Sequence, residues 1–162
     1  MNNVDGYQFQ YLNYKGKTIM TKETTSTYMS IRPYKVGQFT RARVRAYIIV
    51  NNTKLYGNWS DYSYNATSSK VTLKRSANKK KITVKWKKVK GVAGYTVYVS
   101  TKSNGGWKKV KNYGKKATKA IITKYGKKKL SKNKTYYVKV AYMIKVKGKK
   151  ITSSIYSTGA AY

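Results

Sequence analysis

The chemistry open to this chain is limited by its few acidic side chains, which are Asp5, Glu23 and Asp61, and by the absence of His and Cys. Serine or cysteine nucleophiles need an imidazole base, zinc needs imidazole or thiolate ligands, and glycoside hydrolysis needs two carboxylates facing one bond. The three carboxylates lie far apart in sequence, so we interpret them as solvated surface charges. None of the 32 Lys stands out as desolvated. We therefore predict a non-enzymatic protein without metal or cofactor.

One segment has the residue types of a binding site for an anionic ligand. Arg41, Arg43 and Arg45 alternate with uncharged residues, so three guanidinium groups should line the outer face of one strand. Tyr47 continues that face, and Trp59 is expected nearby. Guanidinium groups beside aromatic rings can hold a carboxylated or phosphorylated glycan. The same residues also fit a ladder of interleaved Arg and aromatic side chains that stabilises the sheet.

The elements that must position these residues are predicted to be short β-strands. Segments rich in Val, Ile, Thr and Tyr alternate apolar and polar residues between turns that contain Gly. In the third strand of the second half, the alternation predicts that Tyr95, Val97 and Val99 face inward and that Thr96, Tyr98 and Ser100 face outward. Seven strands are predicted there, near residues 71–74, 82–86, 95–100, 107–112, 118–123, 136–142 and 151–156. Seven short antiparallel strands are typical of a β-sandwich, with a closed barrel as the alternative.

An internal repeat divides the chain into two copies of one plan. Residues 4–9 match residues 92–97, and residues 44–47 match residues 140–142 with one residue fewer. The predicted organisation is a partial module, a short linker and a complete module, at residues 1–66, 67–70 and 71–162.

The first copy lacks the first two strands, because their counterparts occupy residues 71–88 of the second copy. We predict a strand over residues 25–31 of the first copy, and Gln8 and Gln10 on the strand beside the arginines. The missing strands indicate either a fragment of a longer protein or a truncated sandwich with an exposed sheet edge. Exposed edges invite pairing with other chains, which favours the fragment.

The second copy resembles the fibronectin type III modules that occur in tandem in surface and secreted proteins of Gram-positive bacteria. The residues that carry the resemblance, and that we expect in the core, are Trp86, Tyr95, Leu130, Tyr136, Val138 and Val140. Trp86 takes the place of the family's core tryptophan, and Tyr136 that of its tyrosine corner. In the first copy Trp59 and Ser60 belong to a segment that resembles the family's last-strand motif, whereas Thr40 occupies the tyrosine-corner position.

This resemblance implies an all-β chain of immunoglobulin-like sandwiches in tandem, the first without its first two strands. It also implies a non-catalytic spacer or presentation role outside the cell, at a bacterial surface or in a secreted protein. Its partners would be the other domains of a longer parent chain. The sequence has neither a signal-type apolar run near its start nor the roughly 20 apolar residues of a membrane span. We expect any export signal to lie outside this chain.

The charge is unevenly distributed between the two copies. Residues 1–70 hold six Lys and four Arg against three acids, a net charge of +7, whereas residues 71–162 hold 26 Lys and one Arg against none, a net charge of +27. Such a surface can be merely solvated, or it can bind anionic wall polymers or glycans, which the family context supplies. Nucleic acid would bind nonspecifically at low salt. No short RNA-binding signature occurs, so we expect no specific nucleic-acid partner.

Overall fold

The computed structural model describes residues 4–30, 37–67 and 71–162, and its regular elements in these ranges are fourteen β-strands. The chain separates into two compact units, Met1–Thr67 and Ser68–Tyr162. The prediction of an all-β fold is confirmed. Within the described ranges no helix has the length and apolar character needed to cross a membrane.

The first unit forms one antiparallel sheet in the order β2-β1-β3-β4, with β5 paired to β3 as well. Its strands are β1 Gly6–Leu12, β2 Thr18–Thr24, β3 Gln38–Val50, β4 Thr53–Tyr56 and β5 Ser63–Thr67. Because β3 is 13 residues long, β4 pairs with its C-terminal end and β5 with its N-terminal end. Residues 57–62, which lie between β4 and β5, run beside the middle of β3 and place Trp59 against it.

The second strand of the first unit differs from the predicted one. A tight turn, in which the Asn13 side chain accepts hydrogen bonds from two backbone N–H groups and Gly16 has a φ of 90°, brings the chain back early as β2. Residues 25–30 are not a strand. The Ser26 backbone N–H donates to Thr24 Oγ1, and the Tyr28 N–H donates to Ser26 Oγ. These local bonds replace the hydrogen bonds that a strand would make to its neighbour. Ile31, the end of the predicted strand, lies outside the described residues.

The second unit has two main sheets, in the orders β10-β7-β6 and β14-β13-β8-β9, and a small hairpin of β11 and β12. Its strands are β6 Thr72–Arg75, β7 Ile82–Lys85, β8 Gly94–Ser100, β9 Lys108–Gly114, β10 Lys119–Ile122, β11 Lys124–Tyr125, β12 Lys128–Lys129, β13 Tyr136–Val146 and β14 Lys149–Ala161. All seven predicted strands occur near their predicted positions. The last is much longer than predicted because it pairs with β13 along its whole length, from Val146 to Tyr136. The β11–β12 hairpin was not predicted.

The two main sheets of the second unit pack face to face. Trp86, just after β7, contacts Tyr95 of β8 with ring centroids 5.3 Å apart, and Leu73 of β6 packs beside Gly159 of β14. The strands alternate as predicted on this inner face, where Val84 and Val97 are fully buried. The unit is therefore a β-sandwich.

Thr96 and Ser100 lie on the outer face of β8, as the alternation predicts, yet both are fully buried. Thr96 Oγ1 donates to Asn112 Oδ1 at 3.0 Å and lies 3.0 Å from Thr152 Oγ1. Ser100 Oγ bonds to the Gly105 carbonyl. β8 is an interior strand of its sheet, so longer side chains of neighbouring strands cover short polar residues on its outer face.

The Gly-Tyr pair that opens β1 and β8 has the same physical cause in both units. A Cβ atom added to Gly94 would lie 2.5 Å from the Tyr113 carbonyl oxygen of β9. One added to Gly6 would lie 2.8 Å from the Thr24 carbonyl oxygen of β2 and against the Tyr47 ring. Only glycine permits this close approach of the neighbouring strand.

Candidate functional site

The three alternating arginines lie on β3 of the first unit, and their guanidinium groups stack with rings from residues 56–62. The Arg45 guanidinium carbon is 3.9 Å from the Tyr56 ring centroid and 4.5 Å from that of Trp59. The Arg43 carbon is 4.4 Å from Trp59 and 5.4 Å from Tyr62. The arginine ladder, as we call this cluster, consists of Arg41, Arg43, Arg45, Tyr56, Trp59 and Tyr62.

Hydrogen bonds from β1 fix the ladder on its other side. Gln8 pairs with Arg45 and Gln10 with Arg43 in the strand register, as predicted. The Nε atoms of Arg43 and Arg45 each donate to the glutamine opposite at 2.8 Å. Two arginines therefore have an oriented guanidinium group in contact with two rings, which is the arrangement of a sheet-stabilising ladder.

Arg41 and Tyr47 differ from the centre of the ladder. Arg41 stacks on Tyr62 at 5.2 Å, and its buried Nε has no hydrogen-bond partner among the described residues. Tyr47 is buried, with Lys54 Nζ 4.8 Å from its ring centroid. Its ring therefore presents little surface to a ligand on the face where we expected glycan contact.

A charged cluster beside the ladder gave no clear signal in the sequence. Glu23 of β2 accepts hydrogen bonds from Lys54, from the Tyr56 hydroxyl at 2.6 Å and from the Gln8 amide at 2.9 Å. The hydrogen bonds from Lys54 and Tyr56 lower the pKa of Glu23 from 4.5 to about 2. The bond to Glu23 raises the pKa of Lys54 and that of Tyr56. Glu23 is thus fixed in a network, unlike the freely solvated charge we predicted.

Asp5 and Glu23 have separate structural roles. Asp5 Oδ2 accepts a hydrogen bond from the Ile49 backbone N–H at 2.6 Å, which ties the start of β1 to β3. Within residues 4–30, 37–67 and 71–162, no group of three or more acidic side chains could hold a metal ion. The hydrogen-bond partners of Asp5 and Glu23 depend on strand register, which the spacing of residues in the sequence does not reveal.

The predicted core residues of the second unit are all buried, and they are Trp86, Tyr95, Leu130, Tyr136, Val138 and Val140. The Tyr136 hydroxyl accepts a hydrogen bond from the Ser131 backbone N–H at 2.9 Å, which is the geometry of a tyrosine corner. The Tyr95 hydroxyl likewise accepts from the Val89 N–H at 2.8 Å, while burial raises the pKa of this phenol. At the corner position of the first unit, Thr40 is buried and donates to the Asn65 carbonyl.

Comparisons with known proteins give similarities of fold only. No family model and no curated protein sequence matches the chain. Among solved structures, a two-domain fibronectin type III segment of chicken tenascin is 17% identical, with 99% of this chain and 86% of that chain covered and a TM-score of 0.44. The FN1–FN3 domains of chicken CNTN1 are 14% identical, with 96% and 52% covered and a TM-score of 0.42.

A third similar structure is the central fibronectin III array of RIM-binding protein, which is 13% identical, with 98% of this chain and 87% of that chain covered and a TM-score of 0.38. The assignment of the fold rests on strand pairing. In the second unit a three-stranded sheet packs against a four-stranded sheet. The second unit has the fold of a fibronectin type III-like sandwich, and the described strands of the first unit pair as the four-stranded sheet of that fold does.

Proposed function

We propose that this chain is a non-catalytic spacer or presentation segment of a bacterial cell-surface or secreted protein, joined to other domains of a longer parent chain. The arginine ladder carries the proposal. It is the cluster that the sequence offered for ligand recognition, yet Arg43 and Arg45 use their guanidinium faces on the protein's own rings and their Nε atoms on its own glutamines. The extracellular Gram-positive setting comes from the resemblance of the sequence motifs.

A second candidate function is electrostatic binding of an anionic wall polymer or glycan. The second copy has a net charge of +27 and no acidic side chain, so its lysines have no carboxylate partner within it. Among the described residues, the single ion pair lies in the first unit, between Lys54 and Glu23. A surface of this kind attracts polyanions and repels itself in their absence. Arg41, Arg43, Arg45, Tyr47 and Trp59 remain the predicted contacts for a carboxylated or phosphorylated glycan.

The experiment that separates these functions measures binding of the whole chain to purified Gram-positive wall polymer. Duplex DNA and a neutral glycan serve as controls, and salt is raised from about 50 to 500 mM, over which nonspecific phosphate binding falls steeply. A spacer should lose wall polymer and DNA in parallel. Retention of wall polymer at high salt, with DNA lost, would overturn the spacer proposal and support the second candidate.

A further inference from the structure

The second unit contains a cavity of about 300 Å³ that four lysines line. Its lining residues are Lys80, Lys81, Thr123, Lys124, Lys129 and Leu130. Leu130 is buried, whereas the four lysines are exposed. The volume is at the lower end of the range for small-ligand pockets. The fold brings these lysines together from separate segments of the sequence.

Hydrogen bonds fix the first wall of the cavity, the turn between β6 and β7. The backbone N–H of Ser76 donates to the Lys81 carbonyl at 2.9 Å, and the Lys81 N–H donates to Ser76 Oγ at 3.0 Å. Asn78 Oδ1 accepts from the Lys80 N–H at 3.1 Å. Lys79 has a φ of 55°, which this network holds in place. The turn therefore presents Lys80 and Lys81 from a defined backbone.

The second wall is the β11–β12 hairpin. Arg75 connects the turn between β6 and β7 to the residues that follow this hairpin. Leu130 N–H donates to the Thr123 carbonyl at 3.2 Å, which closes the base of the hairpin. The Arg75 guanidinium donates to the carbonyls of Lys79, Ser131 and Lys134. One side chain thus holds both walls, so the cavity is preorganised for a ligand.

The positive charge at this cavity has no acidic side chain to balance it within residues 71–162. Lys124 and Lys129 are directly opposite each other in the antiparallel register of the hairpin, an arrangement that destabilises a sheet when both residues carry the same charge. A bound anion would relieve this repulsion and the repulsion from the two lysines of the other wall.

We propose that this cavity is a binding site for a phosphate-type oligoanion, one that carries at least two negative charges. Lysine ammonium groups bind phosphate oxygens as point charges, and four of them match a ligand with several phosphate-type charges. The buried Leu130 provides an apolar base for the carbon body of such a ligand. The site does not depend on the spacer role or on the arginine ladder. Its ligand can be a free phosphate compound or a segment of a phosphodiester polymer.

Isothermal titration of the whole chain with inorganic tripolyphosphate, at about 150 mM salt to screen long-range attraction, tests the proposal. The double variant Lys81→Gln/Lys129→Gln should bind about tenfold more weakly or worse, since one charge-assisted hydrogen bond from each wall is lost. The matched control Lys115→Gln/Lys116→Gln removes the same charge from exposed positions outside the cavity, and it should change binding by less than about twofold. Equal weakening of both variants, or no binding by the unmodified chain, would overturn the proposal.

A variant that keeps every charge tests the cavity itself. Thr123→Phe should fill the space and weaken tripolyphosphate binding about tenfold, because the ligand can no longer enter. A thermal melt verifies the fold of the variant, and Thr123→Leu, a smaller apolar replacement that also keeps every charge, is the alternative if it fails to fold. Unchanged affinity in a folded Thr123→Phe variant would refute the cavity as the site.

Oligomers of glycerol phosphate distinguish the source of the ligand, since only a polymer-binding site gains affinity as the oligomer lengthens. Affinity that is constant with length supports a free phosphate compound. A gain of affinity with length would favour the second candidate function, whereas constant affinity leaves the spacer proposal to the salt dependence of polymer binding.

Discussion

The two units contain the same paired strands, but among the described residues only the second unit has an opposing sheet over the apolar face. Phe9 pairs with Val44 in the first unit, and Val97 pairs with Val140 at the corresponding point of the second. Phe9 and Val44 are half-buried, whereas Val97 and Val140 are 0% and 1% exposed. The difference follows from β6, β7 and β10, which form the opposing sheet of the second unit. The same strand plan thus gives a closed core in one unit and a partly open face in the other.

The units also differ in what stabilises the opposite face of the sheet. The first unit has the arginine ladder and the Glu23 network there, built from charged groups, amides and rings. The second unit has short buried residues such as Thr96 and Ser100, and Lys139 Nζ lies 4.8–5.1 Å from the ring centroids of Tyr98, Trp107 and Tyr156. Stability should therefore depend on a sandwich core in the second unit and on outer-face contacts in the first.

The largest expected effect comes from separating the units. Residues 71–162 should unfold cooperatively on heating, because both of their sheets are present and bury a common core. Residues 1–70 alone should give no cooperative transition, because a sheet needs its apolar face covered. Circular dichroism melts of the two fragments measure this. A cooperative melt from residues 1–70 would show that the partly open sheet is self-sufficient.

The next effect should come from the core of the second unit. Trp86→Ala should lower its free energy of unfolding by about 3–5 kcal/mol, the usual range for a large buried aromatic residue. The ring is 7% exposed and contacts both Tyr95 and Tyr113, so the change leaves a cavity between the sheets. Urea denaturation of residues 71–162 measures the loss. Trp107→Ala, which removes a half-buried ring outside this core, is the matched control and should have a clearly smaller effect.

Most of the fold could be predicted because alternation and turns are local signals. The inner positions of β7 and β8 follow from strict apolar alternation, and the Gly-Tyr repeat correctly indicated equivalent strands. The prediction of a strand over residues 25–30 was wrong because the side chains of Thr24 and Ser26 accept hydrogen bonds from the backbone there. A hydrophobicity pattern does not indicate such bonds. The burial of Thr96 and Ser100 on the outer face of β8 was not predicted, because it depends on which side chains the neighbouring strands place over them.

The candidate sites were only partly predictable, for a similar reason. Arg43, Arg45 and their glutamine partners follow from alternation on two neighbouring strands, so their contact could be predicted. Glu23 could not be placed beside Lys54, 31 residues away, because β2 begins earlier than predicted and its register fixes the contact. The lysine cavity depends on a hairpin of two-residue strands, which is too short to produce a periodic signal.

A smaller effect is expected when the arginine ladder is interrupted. Trp59→Ala removes the ring that lies against both Arg43 and Arg45, and should destabilise the first unit by about 1–2 kcal/mol, the sum of two exposed cation–π contacts. Hydrogen exchange of the β3 amides in the whole chain measures this, with protection reduced roughly 5- to 30-fold. Trp107→Ala is the control in the other unit. Unchanged β3 protection in Trp59→Ala would mean that the ladder is free to serve a ligand.

The smallest effect is a pH dependence confined to the first unit. The pKa of Glu23 is about 2 in the folded unit against an ordinary value of 4.5, so folding favours the charged form. The stabilisation it contributes is therefore complete above pH 4.5 and is lost as pH falls towards 2. NMR signals of β2 and β8 amides, followed in urea at several pH values, report on each unit. The β2 signals should weaken in this window and the β8 signals should not, because residues 71–162 have no side chain that titrates there. Glu23→Gln should abolish most of the β2 response, and persistence of the full response would show that Glu23 is not its source.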